Sequence, residues 1–297
     1  MPELPEVETT VRGLKEAIVG RRVREVEVTW ERTLANASPA ELGAALAGVT
    51  IADVTRRGKH VVLHFADGAA LAVHRRMTGN LLVRPPGAPT EPYTRLTLRF
   101  DDGSELRFVD IRKFGRASYH RDQAALAAFF AQVAGPEPLE DLTPQRLAAL
   151  LARRRGRLKP LLLDQTFLAG IGNIYADEIL WTAGLHPERR ADSLAPAEIG
   201  RLADAIRDVL LAAIERRGTS LRDYRDSDGE RGDNQRFLAV YGRAGAPCPR
   251  CGAPIEKRWL GQRGTHVCPR CQPIHAGPPP DHMGETRAGE RCGPERL

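Results

Sequence analysis

The chain has 297 residues, with 44 Lys and Arg against 38 Asp and Glu for a net charge of +6, and 42% of its residues are hydrophobic and 28% charged. That is enough apolar material for a sizeable core and roughly two domains, so wholesale disorder is excluded, while the positive balance admits a nucleic-acid partner without establishing one. No run of about 18 apolar residues occurs, and Met1-Pro2-Glu3-Leu4 puts acids where a secretory signal would carry bases, so neither a membrane protein nor a secreted precursor is expected.

From Pro5 to about Ile18, the spacing of Val7, Val11, Leu14 and Ile18 predicts an amphipathic helix with Gly20 just beyond its end. Val26, Val28 and Trp30 alternate as a strand, and Ser38-Pro39-Ala40-Glu41 has the form of a capping box opening a short helix. Between Thr50 and Tyr119 short alternating runs are punctuated by Asp67-Gly68 and Asp102-Gly103, the pattern of an antiparallel sandwich or barrel. After Pro136 and Pro138 the period changes. Leu147, Leu150 and Leu151 follow a Thr143-Pro144 start, and Ile199, Leu202, Ile206, Val209, Leu210 and Ile214 form a helical stripe. Gly218 to Gln235 is polar and without period, either a functional loop or a disordered one. The Pro-, Gly- and charge-rich end reads as a disordered tail. The expected division is a β-sandwich domain over 1–134, a helical domain over 135–236, a metal hairpin over 237–272 and a tail over 273–297. The fold class is thus α+β and multidomain.

Cys248-Pro-Arg-Cys251 and Cys268-Pro-Arg-Cys271 are two C-x-x-C knuckles sixteen residues apart, the spacing of a four-cysteine zinc ribbon. A segment this short has too little apolar surface to fold without such a staple, and four thiolates fill the coordination shell, so one structural zinc ion is expected, closed to chemistry. The fifth cysteine, Cys292, falls in the tail without a partner. Between the knuckles, Trp259 to His266 reads as a hairpin with a basic tip, which either enters a groove of DNA or is simply solvated.

Pro2-Glu3-Leu4-Pro5-Glu6 resembles the opening of the formamidopyrimidine-DNA glycosylase family of bacterial base-excision repair enzymes. The resemblance implies that Met1 is removed and that the Pro2 nitrogen is the nucleophile. An α-amino group with a pKa of about 8 is partly unprotonated near neutrality, which suits that role. It also implies Glu3 as general acid and Glu6, one turn on, as catalytic support or merely a helix-start acid. Lys59, in Arg56-Arg57-Gly58-Lys59, is similar to a lysine that contacts phosphate and assists elimination.

His74-Arg75-Arg76-Met77-Thr78-Gly79 resembles the loop whose methionine fills the hole left by an extruded base. Asp110-Ile111-Arg112-Lys113-Phe114-Gly115 resembles the loop that supplies an arginine to the widowed cytosine and a phenylalanine wedge. His74, Met77, Tyr93, Arg112 and Phe114 are thereby assigned to DNA contact. Asp164 to Glu178 resembles the helix-two-turn-helix motif, with Asn173 as N-cap of the next helix and that helix start open to a phosphate. Lys159 and Asn173 are assigned to phosphate or lesion contact, Arg153 and Tyr241 to DNA, and Glu178 to holding the proline nitrogen. Arg263 falls on the arginine that grips the flanking phosphates and promotes the second elimination. Ser220 to Tyr224 keeps the family's lesion-capping pattern, while Gly232-Asp233-Asn234-Gln235 departs from its usual Gly-aromatic-aromatic-Gln.

The resemblance therefore implies a bifunctional glycosylase and AP lyase for oxidised purines such as 8-oxoguanine or formamidopyrimidines. Its partner would be damaged double-stranded DNA, without a nucleotide or redox cofactor or a membrane, acting as a monomer in the bacterial cytoplasm with the chromosome. The alternatives are an endonuclease VIII-like enzyme for oxidised pyrimidines, against which Leu4 stands, and a non-catalytic zinc-ribbon damage-binding protein, against which Pro2, Glu3, Lys59 and Arg263 stand. An RNA-binding ribbon lacks the aromatic cluster it would need, aromatics being 5% of the chain.

Overall fold

A computed structural model describes residues 2–152 and 154–274. Arg153, Cys292 and nearly all of the expected tail lie outside the described residues.

Helix α1 (Leu4–Ile18) begins one residue before the expected start and buries Val7, Val11, Leu14 and Ile18 against the sandwich. The sandwich consists of β1 (Val23–Val28), β2 (Ile51–Arg57), β3 (His60–Phe65), β4 (Ala70–His74), β5 (Asn80–Arg84), β6 (Thr94–Phe100), β7 (Glu105–Val109) and β8 (Arg116–His120). Two antiparallel sheets, in the orders β1-β6-β7-β5 and β2-β3-β4-β8, enclose Leu63, Leu71, Val73, Leu81, Leu96, Leu98, Leu106 and Phe108. Their hairpin turns at Gly68 and Gly103 carry positive φ, as the Asp-Gly pairs foretell. Strand β1 stops at Val28, so Trp30 lies beyond it and leads a 3-10 turn. Helix α2 (Pro39–Leu46) opens on the expected box: Glu41 N–H donates to Ser38 Oγ at 3.2 Å and Ser38 N–H to the Glu41 carboxylate at 2.7 Å. One helix goes beyond the sequence reading. α3 (Gln123–Val133) is capped by Asp122 and lays Leu126 and Phe130 on the outer face of the second sheet.

Helices α4 (Pro144–Leu151), α5 (Leu158–Leu163), α6 (Asn173–Ala183) and α7 (Pro196–Glu215) share a second core, built on the predicted leucine and isoleucine stripes. Leu4 of α1 is buried in that core, while the rest of α1 packs on the sandwich, so the N-terminus is the seam between the two. The hairpin of β9 (Glu256–Leu260) and β10 (Arg263–Val267) turns at Gly261-Gln262, both at positive φ, the geometry of a tight two-residue loop. Among the described residues no helix is long and apolar enough to cross a membrane.

Candidate active site

The seam at Leu4 builds the site. Leu4 N–H donates to Gly170 O at 2.9 Å, which draws the N-terminus against the turn preceding α6. Glu3 then meets the start of that helix, accepting from Gly172 N–H at 2.8 Å, Ile174 N–H at 2.9 Å and Tyr175 N–H at 3.3 Å. Both glycines of the turn are required by close approach. A Cβ on Gly172 would lie 2.3 Å from Glu3 Cδ, and one on Gly170, whose φ is +92°, would lie 2.8 Å from Leu4. The expected N-cap is therefore corrected: Gly172 holds the cap position and Asn173 is the first helical residue. The helix-start N–H groups thought open to a phosphate are instead occupied by the Glu3 carboxylate, and the Asn173 amide donates to Gly264 O at 3.1 Å.

Burial pushes the Glu3 carboxyl above its ordinary range, against the opposing pull of Lys59 and the backbone N–H groups. Glu6 is more than a helix-start acid. It is buried, accepts from Glu3 N–H and Thr219 N–H at 2.7 Å each and from the Tyr175 hydroxyl, and so ties α1 to α6 and to the root of the long loop. Burial, and then the neighbouring Glu3 charge, raise its pKa to about 7. Lys59 follows the tight turn at Gly58 and is 6% exposed, with its Nζ donating to Ile171 O at 2.8 Å. Burial lowers its pKa; Glu3 and Glu6 oppose the shift and Arg263 adds to it.

Pro2 is buried in the wall of a cavity that it shares with Met77, Thr78, Arg112, Ile174, Tyr241 and residues of the long loop, among them Thr219, Leu221 and Tyr224. Of its lining, Met77 is 40% exposed, and the Arg112 guanidinium lies 4.8 Å from the ring of Phe114, itself 51% exposed. Sequence reasoning missed the residue that joins these two loops. Buried Asp110 accepts from the Thr78 hydroxyl at 2.5 Å and from Gly115 N–H at 2.7 Å, so the Met77 turn and the Arg112–Phe114 turn are one unit. The only sequence signal for it is an acid at the head of a basic loop. Tyr93 is exposed at positive φ and, like Phe114, lies outside the cavity lining. His74 borders a different cavity, beside His60, Arg76 and Arg116; burial drives its pKa down to about 2, so it is a neutral ring.

Two assignments are overturned. Lys159 is fully buried, with its Nζ 2.6 Å from Asp177, 3.0 Å from Gly264 O and 2.9 Å from Thr265 Oγ1. Its three N–H groups are spent on α6 and the hairpin, so it has none for a phosphate or a lesion. Glu178 accepts from Ala239, Val240 and Tyr241 N–H at 2.8 to 2.9 Å and thereby pins the strap leading to the hairpin. Both of its oxygens face that strap, so it does not hold the proline nitrogen. Arg153 lies outside the described residues.

The long loop is built rather than formless. Asp226 accepts from the N–H groups of 228, 229 and 230, Ser220 Oγ accepts from Gly232 N–H, and Gln235 bridges Ser220 N–H and Gly232 O. The unusual Asn234 is buried and donates to Thr219 Oγ1 at 2.9 Å. On the hairpin, the four cysteine sulfurs lie within 4.8 Å of one another, with Cys248 and Cys271 at 3.9 Å. A tetrahedral zinc with 2.3 Å bonds separates its sulfurs by about 3.8 Å, so the donor set fits one structural zinc ion. N–H groups of Trp181, Arg250 and Cys271 donate to Cys248 and Cys268 sulfurs at 3.4 Å, as charged thiolates require. Arg263 is exposed beside the hairpin tip and near enough to Lys59 to bear on its charge.

Comparison with known proteins agrees with this geometry. Residues 1–117 match the formamidopyrimidine-DNA glycosylase N-terminal domain, 134–225 the H2TH domain of the same enzyme, and 245–274 a zinc finger found in FPG and IleRS. A formamidopyrimidine-DNA glycosylase of Symbiobacterium thermophilum is 48% identical over 93% of this chain and 91% of its own, and one of a Roseiflexus species 48% identical over 92% and 100%. Lactococcus lactis Fpg superposes with a TM-score of 0.85 both in a complex with N7-benzyl-Fapy-dG DNA, at 38% identity over 92% of this chain and 100% of that one, and with abasic-site DNA, at 39% over 91% and 99%. At this identity and coverage, and with Pro2 in the wall of the cavity, Glu3 buried at the start of α6 and a four-cysteine hairpin, the chain belongs to the formamidopyrimidine-DNA glycosylase family.

Proposed function

We propose that the chain is a bifunctional DNA glycosylase and AP lyase of base-excision repair, acting in the bacterial cytoplasm on double-stranded DNA that carries an oxidised purine. The observation that carries this reading is Pro2 in the cavity wall, next in the chain to a Glu3 carboxyl buried against the start of α6, with a desolvated Lys59 bearing on that carboxyl.

Once Met1 is removed, Pro2 offers a neutral secondary amine to the sugar C1′. Attack forms the N–C1′ bond and breaks the bond to the base, which leaves with the proton shed by the new ammonium. Glu3, whose burial favours the protonated form, gives its proton to O4′ as the sugar ring opens, leaving an iminium ion on Pro2. Loss of a C2′ proton expels the 3′ phosphate, and a second elimination expels the 5′ phosphate. Lys59 and Arg263 sit where they can serve those leaving phosphates, Lys59 with two N–H groups unspent among the described residues. Met77, Phe114 and Arg112 would fill and satisfy the gap left by the everted base, and Leu221 to Tyr224 would close over it.

The test is borohydride trapping on a duplex carrying one 8-oxoguanine opposite cytosine, followed by peptide mapping. A covalent adduct on Pro2 of a chain lacking Met1 is expected. Strand cleavage without an adduct would overturn the proline route, and an adduct formed with oxidised pyrimidines but not with 8-oxoguanine or a formamidopyrimidine would overturn the purine assignment.

A further inference from the structure

Arg75 is an unusual residue for its place. It stands in the turn before Met77 with 0% exposure, and among the described residues no carboxylate lies within ion-pair distance of its guanidinium. Burial accordingly lowers its pKa to about 10, with Glu6 and Asp226 acting only from a distance. A buried cation without a counter-ion is costly unless its hydrogen bonds are all made, and four of its five N–H groups find partners in three separate parts of the molecule. Nε donates to Gly79 O at 2.8 Å, within the Met77 turn; one terminal nitrogen donates to Thr10 Oγ1 of α1 at 2.6 Å; the other donates to Asn80 Oδ1 at 2.6 Å and to Arg225 O, in the long loop, at 2.9 Å. Asn80 completes the link by accepting from Arg225 N–H at 3.0 Å and donating to Asp223 O at 3.0 Å. The guanidinium also lies 5.2 Å from the ring of Tyr224, which walls the cavity.

We propose that Arg75 is a positioning residue that couples the loop closing over the everted base to the turn that carries Met77, so that lesion capture and filling of the duplex gap proceed as one step. The connection runs from Arg225 and Asp223 through Arg75 and Asn80 to Gly79. The Thr78–Asp110 hydrogen bond then carries it to the Arg112–Phe114 turn. Each link is a directional bond and those at Gly79, Thr10 and Thr78 are fully buried, so a shift of the capping loop has to be answered at the wedge. Through this link a base that orders the capping loop also drives insertion of Met77 into the gap it leaves. Arg75 touches neither DNA nor the reacting atoms.

The inference rests on the glycosylase reading, and its test separates the two. Single-turnover cleavage by the full-length protein is measured on a duplex with 8-oxoguanine and on one with a preformed abasic site, which gives the capping loop no base to grip. Arg75→Met is expected to slow 8-oxoguanine excision by about tenfold to a hundredfold, the scale of an ångström-level misplacement, while abasic-site cleavage changes by less than about threefold. Arg75→Lys, which keeps the charge but reaches fewer acceptors, is expected to fall between. Against a Met77→Ala background, Arg75→Met is expected to cost markedly less than alone, since the two act through one step. Equal loss on both substrates in proportion to a lowered Tm, no loss on either, or additivity with Met77→Ala would each overturn the coupling. Wild-type protein that cuts neither substrate would instead overturn the glycosylase reading.

Discussion

The molecule buries a lysine and a glutamate twice, and the two sites are spent differently. At the strap and hairpin, Lys159 puts all three N–H groups on Asp177, Gly264 and Thr265, and Glu178 holds three backbone N–H groups of 239–241. At the seam, Glu3 likewise holds three backbone N–H groups at the start of α6, but Lys59 makes one hydrogen bond, to Ile171 O, and otherwise feels the charges of Glu3, Glu6 and Arg263. Burial alone therefore does not mark the reactive centre. A buried lysine whose N–H groups are all spent is scaffold, whereas one with N–H groups left over is held ready for a group that comes from outside.

The largest expected effect falls at the seam. Glu3→Gln should keep the Gly172 and Tyr175 N–H contacts on its one oxygen, lose the Ile174 contact and remove the transferable proton, lowering single-turnover excision by about a hundredfold to ten-thousandfold. The two lysines then divide cleanly. Lys159→Met should cost about 3 to 5 kcal/mol in denaturant unfolding, because it strands a buried Asp177. Lys59→Met should change stability by less than about 1 kcal/mol and slow strand cleavage by about a hundredfold. If Lys59→Met proved the more destabilising of the two, the contrast between saturated and held-ready charge would fail.

The pH dependence of stability sharpens the same contrast. A carboxyl whose pKa is raised on folding binds its proton more tightly in the native state, so its contribution is fully present below the unfolded value and lost as pH rises through the folded one. For Glu6 that window runs from 4.5 to about 7, and Glu3 is raised in the same direction. Urea midpoints should therefore fall across this range, with Glu6 accounting for on the order of 3 kcal/mol. Glu6→Gln should flatten the slope.

What was legible in the sequence follows the range of the interactions. The N-terminal helix, the Ser38–Glu41 box, the Asp-Gly hairpins and the zinc knuckles are set by neighbours within a few residues, and each was read from its own stretch. Pro2, Glu3 and Lys59 carry no local signal of their own; the family pattern pointed to them. Lys159 and Glu178 were misjudged because a motif transfers residue type but not direction: both lie in the right segment and turn their charges toward Asp177 and the strap. Asp110 and Arg75 escaped notice because their partners are 32 and up to 150 residues away in the chain. For α3 the Asp122 cap was there to be read.

The smallest effect offers the finest separation, because it concerns two cations on either side of one strand. Arg263 begins β10 on its exposed side, and Lys159 grips the next two residues, Gly264 and Thr265, from beneath. An exposed guanidinium without a buried partner contributes little to stability, so Arg263→Ala should leave the unfolding midpoint nearly unchanged. If it meets a phosphate, its loss removes one counter-ion release event. The slope of log Kd against log salt should then fall by about one, uniformly across DNA sequences. Lys159, being sealed off, should show the reverse once the variant is studied at a temperature where it remains folded: a lower midpoint and an unaltered salt slope. Because both substitutions remove one positive charge beside the same strand, net charge cannot account for a difference between them, and only the direction in which each cation points is left to do so.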